Sequence, residues 1–144
     1  MDYATPDDLL SRYPQRLLAQ LTDEAGQAYQ PEVARRALAD AAAEINGYLV
    51  GRYALPLAST PVVLTRLSCD IALYRLMGLR PAGDIEDARR RYEDAVRVLE
   101  RIGDGRINLG VAAPAEPPPA TDGGPRGAKT DADRLFSPTT LRGF

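Results

Sequence analysis

PVVLTRLSCDIALYRLMG, residues 61 to 78, is the stretch on which the fold turns. Leu64, Leu67, Ile71 and Tyr74 recur at helical spacing along one side, and Cys69, Ala72, Leu73 and Leu76 fill much of the remainder. A helix that is apolar over so wide a surface belongs in the middle of a bundle, where other helices cover it. Pro61 suits a first helical turn and Gly78 a C-terminal stop, so the pattern predicts a helix from Pro61 to about Met77.

The covering helices can be read on either side of it. Upstream, Val33, Ala34, Ala37, Leu38, Ala41, Ala42, Ile45 and Leu49 form a stripe that predicts a helix from Pro31 to Leu49, its alanines allowing close approach to a neighbour. Downstream, Asp84 caps a helix to about Ile102, with Ile85, Ala88, Tyr92, Ala95, Val96, Leu99 and Ile102 inward. Near the N-terminus, Thr5-Pro6-Asp7-Asp8 begins a short helix that Pro14 ends, and Gln15 to Leu21 forms a second short one. Gly103-Asp104-Gly105 turns the chain into Arg106 to Val111, an apolar segment expected as an edge strand or hairpin arm. The expected class is all-α: a small bundle of about four to five helices, a short β-like segment after the last long one, and an extended C-terminal arm.

That division puts a helical body at residues 1–112 and a Pro/Gly-rich arm at 113–144. The body carries 14 Arg against 16 Asp and Glu, and the arm is neutral, so neither has the basic excess of a dedicated nucleic-acid binder. Cys69 is alone, which excludes an internal disulfide, and no uninterrupted apolar run approaches the ~18 residues of a membrane span. The N-terminus lacks a signal-peptide pattern, so the expectation is a soluble protein that stays in the cell that makes it. Histidine is absent, which removes Ser-His-Asp and Cys-His catalysis. No phosphate loop or zinc-ligand pattern stands in its place, so no enzyme activity, metal or cofactor is expected.

Three features carry alternatives. Cys69 reads first as a small buried hydrophobe and second as a reactive thiol. Asp70 is a carboxylate on the most apolar helix, and burying it unpaired would be costly. An ion pair is the first reading, with Arg66, one turn earlier, or an arginine from another helix as the partner; a contact between subunits is the second, and catalysis the last. Arg89-Arg90-Arg91 could touch phosphate or a neighbouring subunit, yet Glu86–Arg90, Asp87–Arg91 and Glu93–Arg97 are all oppositely charged pairs at i,i+4, the pattern of a solvated face. In the connector after the first long helix, Tyr53, Leu55 and Leu57 alternate and Pro56 restricts the chain, so an ordered, locally extended segment is expected there.

Three blocks, INGYLVGRYALPL (45–57), LSCDIALYRLMG (67–78) and RRYEDAVRVLERIGDGRINLG (90–110), resemble in order and spacing the head–tail connector family of Mu-like tailed phages. The resemblance covers residues 3 to 111. It implies a helical adaptor, similar to siphophage connectors, that forms a ring (usually of about twelve subunits) below the portal. Such a ring continues the DNA channel, offers a platform to the next neck or tail-terminator protein, and sits in the virion neck after assembly in the host cytoplasm. The family has no catalytic residues to transfer. A mildly acidic body suits a channel that DNA slides through without sequence-specific binding. The rival reading is a small helical regulatory or nucleic-acid-binding module using Arg89 to Arg91.

The arm lies outside the resembling stretch and is read from its chemistry. Pro117-Pro118-Pro119 favours extended polyproline II, and Gly123-Gly124 permits a bend. Beyond them, DRLFSPTTLRGF returns Leu135, Phe136, Leu141, Arg142 and Phe144. A spacer followed by separated anchors has the layout of a docking arm, with the portal as the expected partner; the plain alternative is a functionless end. Tyr53, Leu55, Pro56, Arg66 and Asp70 are the expected structural or inter-subunit positions of the body.

Overall fold

The computed structural model describes residues 2–111 and shows five helices with no strand among them. The helices are α1 (Pro6–Arg12), α2 (Gln15–Thr22), α3 (Pro31–Leu49), α4 (Val62–Leu79) and α5 (Ile85–Gly103). The fold is all-α. The expected arm, its anchors and the boundary at 112/113 lie outside the described residues.

α1 begins as its sequence dictates. Thr5 and Asp8 form a reciprocal capping box, the Thr5 amide donating to the Asp8 carboxylate at 2.7 Å and the Asp8 amide to the Thr5 hydroxyl at 3.3 Å. α2 is tied to the turn after it through Thr22, a buried hydroxyl that donates to the Leu18 carbonyl at 2.7 Å and accepts from the Gln30 amide at 3.0 Å. At α5, the Asp84 carboxylate accepts from the Asp87 amide at 3.0 Å.

α4 is the hub. Its buried residues, from Leu64 to Met77, face every direction across the helix axis, and α3 and α5 pack most extensively against it. The helix runs through Gly78 to Leu79 rather than stopping at Met77, and Pro61 sits at its N-cap. A Cβ on Gly78 would meet nothing within 4 Å, so no close approach requires glycine at that position. α3 and α5 end side by side: a Cβ on Gly103 would lie 3.0 Å from the Tyr48 carbonyl oxygen, so glycine permits this approach. α4 runs antiparallel to α5, with Tyr74 stacked on Tyr92 and the earlier Leu67 sharing a cleft with the later Val98.

Two expectations of detail change. Ile85, read as inward, is 41% exposed at the first position of α5. Residues 106–111 form no strand. Ile107, Leu109 and Val111 do pack against the core while Arg106, Asn108 and Gly110 face outward, so the period-two pattern was real. Among the described residues there is no neighbouring strand to pair with it. Its amides bond elsewhere: Arg106 and Ile107 to the Arg101 carbonyl at 2.8 and 3.0 Å, and Leu109 to the Tyr53 hydroxyl at 3.2 Å.

Candidate functional site

A half-open cleft of about 320 Å³ lies where the end of α1 meets α4 and α5. Its floor is apolar, from Leu67, Ala95 and Val98, and its walls are charged. Tyr13, just past α1, donates its hydroxyl to Asp70 Oδ1 at 2.6 Å. Burial pushes the Tyr13 phenol upward from its ordinary value, and the bond to Asp70 adds to the shift. Asp70 is thus held, but not by Arg66.

The expected Arg66–Asp70 ion pair does not form among the described residues. The order of charges explains this. A helical side chain leans toward the N-terminus, so an arginine four residues before an acid leans away from it; the acid-first order is the favourable one. Arg66 instead lies exposed on the rim of the cleft, with Arg12 and Arg91 also lining it. Arg91 is engaged by Asp87 at 2.7 Å, in the acid-first order, and Asp94 by Arg97 at 2.9 Å. Arg12 and Arg66 form no salt bridge within the described residues.

The triple arginine run behaves as a solvated face, with one change of partner. Arg89 takes Glu86 at 2.7 Å, leaving Arg90 without it, and Arg97 reaches Glu93 at 4.0 Å. Nucleic-acid binding through Arg89 and Arg91 would have to displace carboxylates already seated on them. Cys69 is fully buried, and burial pushes its thiol up to about 12, so it is an unreactive core side chain.

The connector segment is ordered by the body itself. Tyr53 is 3% exposed and its hydroxyl receives the Leu109 amide; Leu57 is buried and Leu55 half-buried against the same core. Pro56, joined to Leu55 by a cis peptide bond, faces outward.

A second polar junction was missed from the sequence. Glu44 on α3 accepts from the Tyr92 hydroxyl of α5 at 2.8 Å and from Arg75 of α4 at 2.7 Å. Tyr92 stacks on Tyr74, with ring centroids 4.7 Å apart and planes at 20°. The bond to Glu44, with burial, raises the Tyr92 phenol to about 12. The only local signal was a lone acid inside AAAEI, one residue before the buried Ile45.

Among the described residues no three His, Cys, Asp or Glu side chains gather into a metal-binding group, and no helix is long and apolar enough to cross a membrane. The family described as Bacteriophage Mu, Gp36 matches residues 3–126. This chain belongs to that family. It is 42% identical over 113 residues to gene product J of Escherichia phage Mu, covering 77% of this chain and 78% of that protein. It is 35% identical over 144 residues to the Mu-like prophage FluMu protein gp36 of Haemophilus influenzae, covering 99% of this chain and 97% of the relative. The chain is a Mu-type phage protein, and neither relative bears the name of an enzyme. The Gp36 match runs past residue 111, where the legible resemblance stopped, and into the Pro/Gly-rich stretch.

Proposed function

We propose that this chain is the head–tail connector of a Mu-like phage, a structural virion protein that forms a ring of about twelve copies beneath the portal. The ring stands in the neck, continues the DNA channel and receives the next neck or tail-terminator protein. The observation that carries the reading is membership of the Mu Gp36 family over residues 3–126. The physical character of the body supports it: a closed helical hub whose uncompensated charges lie on its outside. Because the body has two more acids than arginines, DNA phosphate finds no net counter-charge to hold it during passage.

In this reading the arm clamps the portal, with Leu135, Phe136, Leu141, Arg142 and Phe144 as its contacts. One arm binds weakly, because ordering a long flexible segment offsets most of what a few anchors contribute. A ring presents many arms on one rigid base, which raises avidity by about 10²–10⁴ without new contacts. The test is recovery of purified portal by the full-length chain beside a chain lacking residues 133–144. The full-length chain should retain portal and the truncated one should not. Equal recovery removes the clamp, and no recovery by either removes the connector reading.

A further inference from the structure

Gly47 and Gly78 stand in the last turns of α3 and α4, and neither has a positive φ. A Cβ on either would meet nothing within 4 Å. Alanine in both places would favour the helix, because glycine gives up more backbone freedom on folding. Each glycine therefore weakens the body without a reason inside it. Gly51, just past α3, has the same open space.

These glycines border one surface. Gly78 lies beside a hollow with Tyr74, Tyr92 and Glu44, and Gly47 and Gly51 beside another with Tyr48, Val50 and Glu100. A third depression runs along α5 from Tyr92 past Val96 to Glu100, so the three join into one trough. From Tyr92 to Asp104 it follows α5 for about 18 Å, at 1.5 Å per helical residue. The three tyrosines are half-buried and Val50 is 68% exposed.

One end of the trough is negative. α3 and α5 finish there side by side, so the partial charge of two helix C-termini adds to that of Glu100. Arg52 lies against Gly105, next to Asp104, and answers that acid. Arg97, one turn before Glu100, is taken by Asp94 at 2.9 Å and Glu93 at 4.0 Å. Glu100 itself forms no salt bridge among the described residues.

We propose that the trough seats an amphipathic helix of the next neck protein. That helix lies close on Gly47 and Gly78, with apolar side chains over the tyrosines and Val50 and a lysine or arginine toward Glu100. The proposal rests on the connector reading, in which the arm takes the portal and the body receives the protein that follows. Glycine permits such an approach, since helices pack about 8–10 Å apart according to the side chains between them. An extended segment is the poorer fit, because the described residues hold no strand whose edge it could join.

The test loads purified portal with the full-length chain, adds the purified next neck protein of the same phage, and titrates its retention. The wild-type complex should retain it. Gly47→Ala with Gly78→Ala should melt above wild type and load portal as fully, because the added methyls favour the helices and touch nothing within the chain. The same methyls hold the incoming helix away, so the neck protein should bind at least about tenfold more weakly. Glu100→Gln should slow its association and flatten the salt dependence of that rate, with portal loading unchanged.

Glycine variants that melt higher yet bind the neck protein as wild type overturn the proposal. Variants that melt lower also overturn it, since the fold itself would then require the glycines. Loss of portal loading, or altered self-association in sedimentation, places portal or a second copy on the trough and overturns it while the connector reading stands. Wild-type chain that loads portal but retains no neck protein has the same consequence. Chain that does not load portal at all removes the connector reading and this proposal together.

Discussion

Glu44 and Asp70 are carboxylates set where helices meet, and each accepts a hydrogen bond from a tyrosine on another part of the chain, at 2.8 Å from Tyr92 and 2.6 Å from Tyr13. They differ in what else holds them. Glu44 also receives Arg75, so α3, α4 and α5 are joined through one acid with its charge answered. Asp70 has Arg12, Arg66 and Arg91 around the same cleft and forms a salt bridge with none of them. One junction is complete within the chain; the other leaves arginine capacity facing outward. A polar cluster that satisfies itself serves as internal glue, whereas one left open is where a partner gains most.

The comparison can be broken at several points. The largest effect should come from Leu67→Ala, which empties a fully packed position beneath the open cleft and should cost about 2–5 kcal/mol in urea unfolding. A loss near zero would mean the cleft is detached from the core. Tyr13→Phe removes the one hydrogen bond that Asp70's side chain accepts among the described residues and should cost about 1.5–3 kcal/mol, the range for bonds to charged groups. Tyr92→Phe should cost less, about 0.5–1.5 kcal/mol, because Arg75 remains on Glu44 and the stack on Tyr74 survives. The reverse order would contradict the view that Glu44 is the better-held acid.

Alkaline pH sharpens the same contrast. Both phenols are raised in the folded chain, Tyr92 to about 12 and Tyr13 also upward from the ordinary 10.0. Above pH 10.0 the unfolded chain loses these protons while the folded chain keeps them, so stability falls as pH rises. The contribution is fully present below pH 10.0 and declines toward about 12 for Tyr92 and beyond that for Tyr13. Melting temperature against pH should therefore slope downward there, and Tyr13→Phe should flatten the slope more than Tyr92→Phe. The smallest effect belongs to Arg91→Ala. Its pair with Asp87 is solvent-exposed, and such pairs are worth about 0.2–1 kcal/mol, which salt reduces further.

Much of the fold was legible because helical periodicity is local. The stripe from Val33 to Leu49, with Pro31 before it, marks the observed bounds of α3, and Thr5 and Asp84 cap as their positions suggest. The partner of Asp70 was not legible. Tyr13 is 57 residues away and marked only by the proline after it, and no rule of spacing joins the end of α1 to the middle of α4. The alternation at 106–111 gave the right facing but the wrong element, since a strand requires a second strand and that information is not in the segment. Glu44 shows the same limit from the other side: its position in the alanine stripe hinted at burial, but its two partners lie on other helices.

The central claim is that this chain is a ring-forming connector, and imaging tests it most directly. Purified portal mixed with the full-length chain, averaged by electron microscopy, should show an added ring of density coaxial with the portal channel and built from repeated small helical bodies. Portal averages unchanged by saturating amounts of the chain, or density bound off the axis in single copies, would contradict it.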